Sequence, residues 1–162
     1  MAAKRVVHII GTGSIGGPLI GLFLNLRQQL ELNVVTFHKN GALLSDRAKV
    51  KNLIRRGAKL VVAAETMREF EKLGMQPTYE VQEALDQATV VIDCTPDGVA
   101  NQHKIDWFQQ MPTTKEFLAQ GSETGFGKPY ARGINDGALV PDEDRFIQIV
   151  SCNTHNLAVL TE

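Results

Sequence analysis

The run Gly11-Thr12-Gly13-Ser14-Ile15-Gly16 constrains this chain more than any other feature, because it joins a β-branched stretch to a helical one. Residues 5–10 read as a short buried strand. From residue 15 to residue 30, the apolar Leu19, Leu22, Phe23, Leu26 and Leu30 recur at helical spacing. Pro18 falls in the first turn, where its missing N–H costs little. In such a strand–turn–helix, Gly11 permits the tight turn, Gly13 lets a pyrophosphate approach the backbone, and Gly16 lets helix and strand pack closely. The helix start then offers N–H donors and a partial positive charge to an anion. A glycine turn that joins the two elements without a ligand is the plainer alternative, and the pattern alone leaves it open.

The rest of the chain alternates in the same way. Strands are expected at residues 33–37, 59–63, 88–95, 115–119 and 145–150, and helices at residues 43–56, 65–73 and 81–87. Turns follow at His38-Lys39-Asn40-Gly41 and Pro96-Asp97-Gly98, and a glycine-rich loop spans residues 121–137. Alternation of this kind implies an α/β domain of the Rossmann type: a doubly wound, mostly parallel sheet with helices on both faces. With 162 residues the chain suits one such domain.

An apolar run over residues 6–26, preceded by Lys4 and Arg5, superficially resembles a leader or anchor. Gly11, Gly13, Gly16, Gly17 and Gly21, with Pro18, interrupt it, so neither is expected. A net charge of −1 points to no nucleic-acid partner. Two cysteines are too few for a disulfide framework and suit a reducing cytoplasm. No metal site is assigned.

The second strand bears on the cofactor. Domains that prefer NAD usually carry Asp or Glu about 20 residues beyond the glycine motif, gripping the ribose hydroxyls. Thr36, Phe37, His38 and Lys39 occupy that region, and none is acidic. Thr36, Lys39 and His38 are candidates for a ribose 2′-phosphate, which favours NADP over NAD, with NAD still possible. A solvated turn lysine is the alternative for Lys39. Thr95 and Pro96 lie at the carboxyl end of an apolar strand, where open sheets place their ligands, and are expected to touch the cofactor. Cys94 beside them reads as a small buried hydrophobe. Cys152 follows a strand and opens a helix over residues 153–160, a setting that raises a thiol's thiolate fraction. From the pattern alone, nucleophile and capping or buried residue stand level for Cys152.

Val150-Ser151-Cys152-Asn153-Thr154 resembles the nucleophile motif of phosphorylating glyceraldehyde-3-phosphate dehydrogenases, particularly of the archaeal branch. Val91-Ile92-Asp93-Cys94-Thr95-Pro96-Asp97-Gly98 resembles that branch's strand and turn over the cofactor. Phe117-Leu118-Ala119-Gln120-Gly121-Ser122-Glu123 is similar to a strand ending in Gln-Gly-Gly-Glu, and Phe70-Glu71-Lys72-Leu73-Gly74 to a further segment, all in family order. The resemblance implies that Cys152 attacks an aldehyde carbon and that hydride leaves for the nicotinamide. Phosphate then releases the thioester as an acyl phosphate. It also implies cofactor contacts at Gln120 and Gly121, substrates of glyceraldehyde 3-phosphate and phosphate, and a homo-oligomeric parent enzyme.

The chain departs from the family after the cysteine, with His155, Asn156, Ala158 and Val159 where the family continues Thr-Gly-Leu-Cys-Arg after Cys-Asn-Thr. His155 reads as a helix-surface or core residue, not as the family's base. Residues 1–151 are then expected to form the NAD(P)-binding domain, and residues 152–162 to begin the catalytic domain of a longer enzyme, so the chain alone is expected to be inactive. Two other readings stand beside this one: a free-standing dinucleotide-binding regulatory module, and a dehydrogenase of another aldehyde or acyl thioester.

Overall fold

The computed structural model describes residues 4–121 and 123–161. Its strands are β1 (Val6–Ile10), β2 (Val34–His38), β3 (Lys59–Val62), β4 (Tyr79–Glu80), β5 (Val90–Asp93), β6 (Glu116–Gln120), β7 (Lys128–Tyr130) and β8 (Phe146–Ile149). Its α-helices are α1 (Gly16–Asn25), α2 (Arg47–Arg55), α3 (Met67–Lys72), α4 (Val81–Gln87), α5 (Val99–Asp106) and α6 (Cys152–Thr161). The strands form one sheet in the order β4-β3-β2-β1-β5-β6-β8-β7, and every pairing is parallel.

Period-two alternation separates two packed faces. Val7, Ile9, Val35, Phe37, Leu60 and Val62 cluster with Ile20 of α1, Val50 and Leu53 of α2, and Phe70 of α3. Ile10, Val91, Phe117 and Ala119 cluster instead with Leu85 of α4, Ala100 of α5 and Phe108. Helices thus cover both faces, the doubly wound Rossmann-type arrangement that the alternation implied. The order turns at β1, which pairs with β2 on one side and β5 on the other. The carboxyl ends of these strands splay connections in opposite directions, leaving a crevice there.

Several elements differ from expectation. α1 ends at Asn25, five residues before Leu30. Residues 26–31 form turns because the chain must reverse into β2, and Arg27 fastens the reversal by bonding the carbonyls of Leu32 and Asn33. Leu22 and Leu30 of the expected apolar stripe are exposed. The helix expected from residue 43 is a 3₁₀ turn (Leu44–Asp46) leading into α2, with Leu43 and Leu44 on the surface. The loop over residues 121–137 contains the edge strand β7, and α5 follows the Pro96-Asp97-Gly98 turn. No described helix is long and apolar enough to cross a membrane.

Candidate functional site

A cleft of about 410 Å³ opens at the reversal of strand order. The glycine turn, Ile10, His38-Lys39-Asn40-Gly41, Cys94-Thr95-Pro96 and Gln120 form its walls. Of the residues singled out from sequence, Gly11, Thr12, Gly13, Ser14, Ile15, His38, Lys39, Thr95, Pro96 and Gln120 meet there. Gly16 lies just behind the turn, and a Cβ on it would stand 2.1 Å from the Gly11 carbonyl oxygen. A Cβ on Gly13 would meet nothing within 4 Å, so that backbone is open to a ligand. Gly11 adopts φ +93°, a conformation that favours glycine. α1 starts without a side-chain cap; the Gly17 N–H donates to the Gly13 carbonyl at 3.1 Å and Pro18 has none, so an anion would meet the N–H groups at and just before Gly16. Lys49 of α2 donates from outside to the carbonyls of Thr12 and Gly13, covering the acceptor side of the turn.

Thr36 does not reach the cleft. Strand alternation sends it to the face of α4 and α5, where it is buried. There His8 Nδ1 lies 2.7 Å from its hydroxyl oxygen, and the hydroxyl also donates to the Val7 carbonyl. His38 lies two residues further on the same side. It is 4% exposed, and neither ring nitrogen has a partner among the described residues. Burial, then repulsion from His103, lowers its pKa to about 4, with Asp93 opposing. His38 is therefore neutral at pH 7, and any contact with a phosphate is that of a neutral hydrogen-bonding ring.

Lys39 is not a solvated turn lysine. Its side chain is 11% exposed, and its ammonium pairs with Asp46 Oδ2 at 2.6 Å. The pattern around residue 39 gave no sign of this partner, because the 3₁₀ turn delivers it from seven positions onward.

Asp93 organises the opposite wall, a role that sequence reasoning missed. Its Oδ1 accepts the Thr95 backbone N–H at 2.9 Å and the Thr95 hydroxyl, which shapes the turn into Pro96. Its Oδ2 lies 2.7 Å from His103 Nδ1, and the His103 ring stacks on Trp107 with centroids 4.4 Å apart. Trp107 and His38 border a second cavity of about 470 Å³ with Ala63, Val81 and Leu85. His38 and Asn40 belong to both spaces. Cys94 is buried, and burial followed by Asp93 pushes its thiol up to about 12, so it stays protonated.

Cys152 is exposed and is the first residue of α6. Ser151 precedes it as a cap: its hydroxyl accepts the Thr154 N–H at 3.2 Å, and its carbonyl accepts the His155 N–H at 2.9 Å. β8, which leads to Cys152, pairs with β6, whose last residue Gln120 lines the cleft. Cys152, His155 and Gly121 are not themselves in the cleft wall.

No family model matches the chain. It is 32% identical over 155 residues to glyceraldehyde-3-phosphate dehydrogenase of Metallosphaera sedula, across 93% of this chain and 42% of that protein. It is 29% identical over 159 residues to glyceraldehyde-3-phosphate dehydrogenase 1 of Methanosarcina acetivorans, across 96% of this chain and 43% of that protein. The glyceraldehyde-3-phosphate dehydrogenase of Methanothermus fervidus is 28% identical over 158 residues, with 94% and 43% covered. The chain is thus a homologue of archaeal glyceraldehyde-3-phosphate dehydrogenases over nearly all of its own length, and it spans about two-fifths of the length of these relatives.

Proposed function

We propose that this chain is the NAD(P)-binding domain of a phosphorylating glyceraldehyde-3-phosphate dehydrogenase, with residues 1–151 holding the cofactor and residues 152–162 beginning the catalytic domain. The observation that carries the reading is the cleft at the reversal of strand order, floored by a glycine turn and the uncapped start of α1. The turn's N–H groups would take the pyrophosphate, and the open backbone at Gly13 gives it room. Thr95 and Pro96 would border the cofactor on one side and His38 and Asn40 on the other, with the second cavity receiving the adenine. Among the described residues Lys39 is the one cation on the wall, and we assign the 2′-phosphate of NADP to it, with NAD also accepted.

The bound cofactor would supply the hydride acceptor for oxidation of an aldehyde held as a thiol adduct. This chain's part is to bind and orient it, and to present Cys152 Sγ at the same edge of the sheet as Gln120. The later substrate steps, the general base and the homo-oligomer belong in this reading to the longer parent, whose substrates would be glyceraldehyde 3-phosphate and phosphate. The chain alone is expected to bind dinucleotide but oxidise little aldehyde.

Trp107 is the sole tryptophan and borders the second cavity, so its fluorescence reports occupancy. Titration with NADP or NAD is expected to give a saturable change, with NADP binding the tighter. No change with either would overturn the dinucleotide reading, whereas equal or tighter NAD binding would overturn only the NADP preference. Iodoacetamide offers a second check. The native chain is expected to take up one equivalent at exposed Cys152, while buried Cys94 reacts only after unfolding. A Cys152 rate no faster than that of free cysteine would count against an activated nucleophile.

A further inference from the structure

Asp46 holds an unusual position for a helix-capping residue type. It occupies the N-cap of α2, where an aspartate normally accepts a first-turn N–H, yet its side chain makes no capping bond. Its carboxylate instead reaches Lys39 at 2.6 Å, with the Lys39 side chain 11% and the Asp46 side chain 33% exposed. Asp46 itself is not in the cleft wall, whereas Lys39 is. The acid therefore touches the cofactor site only through the lysine.

We propose that Asp46 is a specificity-determining residue that restrains Lys39, and thereby limits the preference of the cleft for a 2′-phosphorylated dinucleotide. The proposal rests on reading the cleft as a dinucleotide site. An ammonium has three donors and can serve two acceptors, so Lys39 can meet a phosphate without leaving Asp46. In that arrangement the phosphate and the carboxylate compete for one cation, so the lysine's attraction for the phosphate is divided. An unphosphorylated ribose brings no charge and is indifferent to that competition. His38 cannot supply a second cation, because it is neutral at pH 7.

No capping bond is lost with the charge, so the ion pair to Lys39 is the interaction its removal breaks. Asp46→Asn preserves the shape of the side chain, and Asp46→Ser offers a good N-cap residue in case Asn disturbs α2. Both are expected to tighten NADP binding roughly tenfold, an interaction change of about 1.4 kcal/mol, and to leave NAD binding within about twofold. Lys39→Met is expected to remove the gain entirely, so that the Lys39→Met/Asp46→Asn pair matches Lys39→Met alone. Trp107 fluorescence titrations with NAD and NADP on the parent and the four variants read all of this. Asp46 variants that leave the NADP-to-NAD ratio unchanged would overturn the proposal while sparing the dinucleotide site. A gain that persists without Lys39 would also overturn it, because Asp46 would then act on the phosphate directly. Absence of any response to either nucleotide would overturn the site and the proposal together.

Discussion

Gly16→Ala is expected to abolish dinucleotide binding and to destabilise the domain by about 3 kcal/mol or more, the upper range for forced overpacking. The added Cβ would lie 2.1 Å from the Gly11 carbonyl oxygen, 2.9 Å from its carbon and 3.3 Å from the Cys94 Cβ. None of these can move freely. Gly11 sits at φ +93°, and its N–H donates to the His38 carbonyl at 3.3 Å. The Cys94 N–H is bonded to the Ile10 carbonyl at 2.8 Å. Relief therefore requires α1 to lift from the ends of β1 and β5, which would carry the phosphate-facing N–H groups away. Gly13→Ala separates binding from folding. Its Cβ meets nothing within 4 Å, so stability should change by less than about 0.5 kcal/mol, while the methyl stands where the pyrophosphate must approach. Denaturant unfolding and nucleotide titration of both variants check the contrast. A Gly16→Ala protein as stable as the parent would refute the packing argument.

The glycine turn was legible in the sequence because its three constraints are local: a φ, a contact across one turn, and an open backbone. The parallel sheet was legible for a related reason, since glycines and apolar runs punctuate each strand and helix. α5 escaped notice because Val99-Ala100-Asn101-Gln102-His103-Lys104-Ile105-Asp106 buries only Ala100, so it carries no apolar stripe. β7 is three residues long and contains Pro129, which suits an edge but gives no strand pattern. The candidate site divides along the same line. Counting onward from the motif reached Lys39 and His38, which line the cleft, but it also admitted Thr36, which pleating turns to the buried face. The partners that decide what Lys39 and His38 can do, Asp46 and the Asp93–His103 pair, come from elements whose approach is set by tertiary packing.

Acid is expected to unfold this domain through two histidines on the side of the sheet that carries Thr36. His8 is wholly buried, and burial followed by repulsion from His38 lowers its pKa to about 3. His38 is lowered to about 4. Both fall below the ordinary value near 6.5, so the unfolded chain binds these protons more readily than the folded one. Their stabilising contribution is complete above about pH 6.5. It shrinks as pH falls towards 4 for His38 and towards 3 for His8, by about 1.4 kcal/mol per pH unit for each. By pH 5 the two together remove about 4 kcal/mol, against a total of roughly 5–15 kcal/mol for a typical domain. Asp136, held low by the Gly133 N–H, and Asp144, held low by Lys128, act in the same direction only when pH falls below the usual carboxylate range. The steep loss between pH 6.5 and 5 is therefore expected to belong to the histidines. Urea unfolding across that interval should show a slope near two protons. His8→Asn, which keeps a polar edge towards Thr36, should reduce the slope by about one proton even if it lowers stability at pH 7. An unchanged slope in that variant would show that His8 is not what acid attacks.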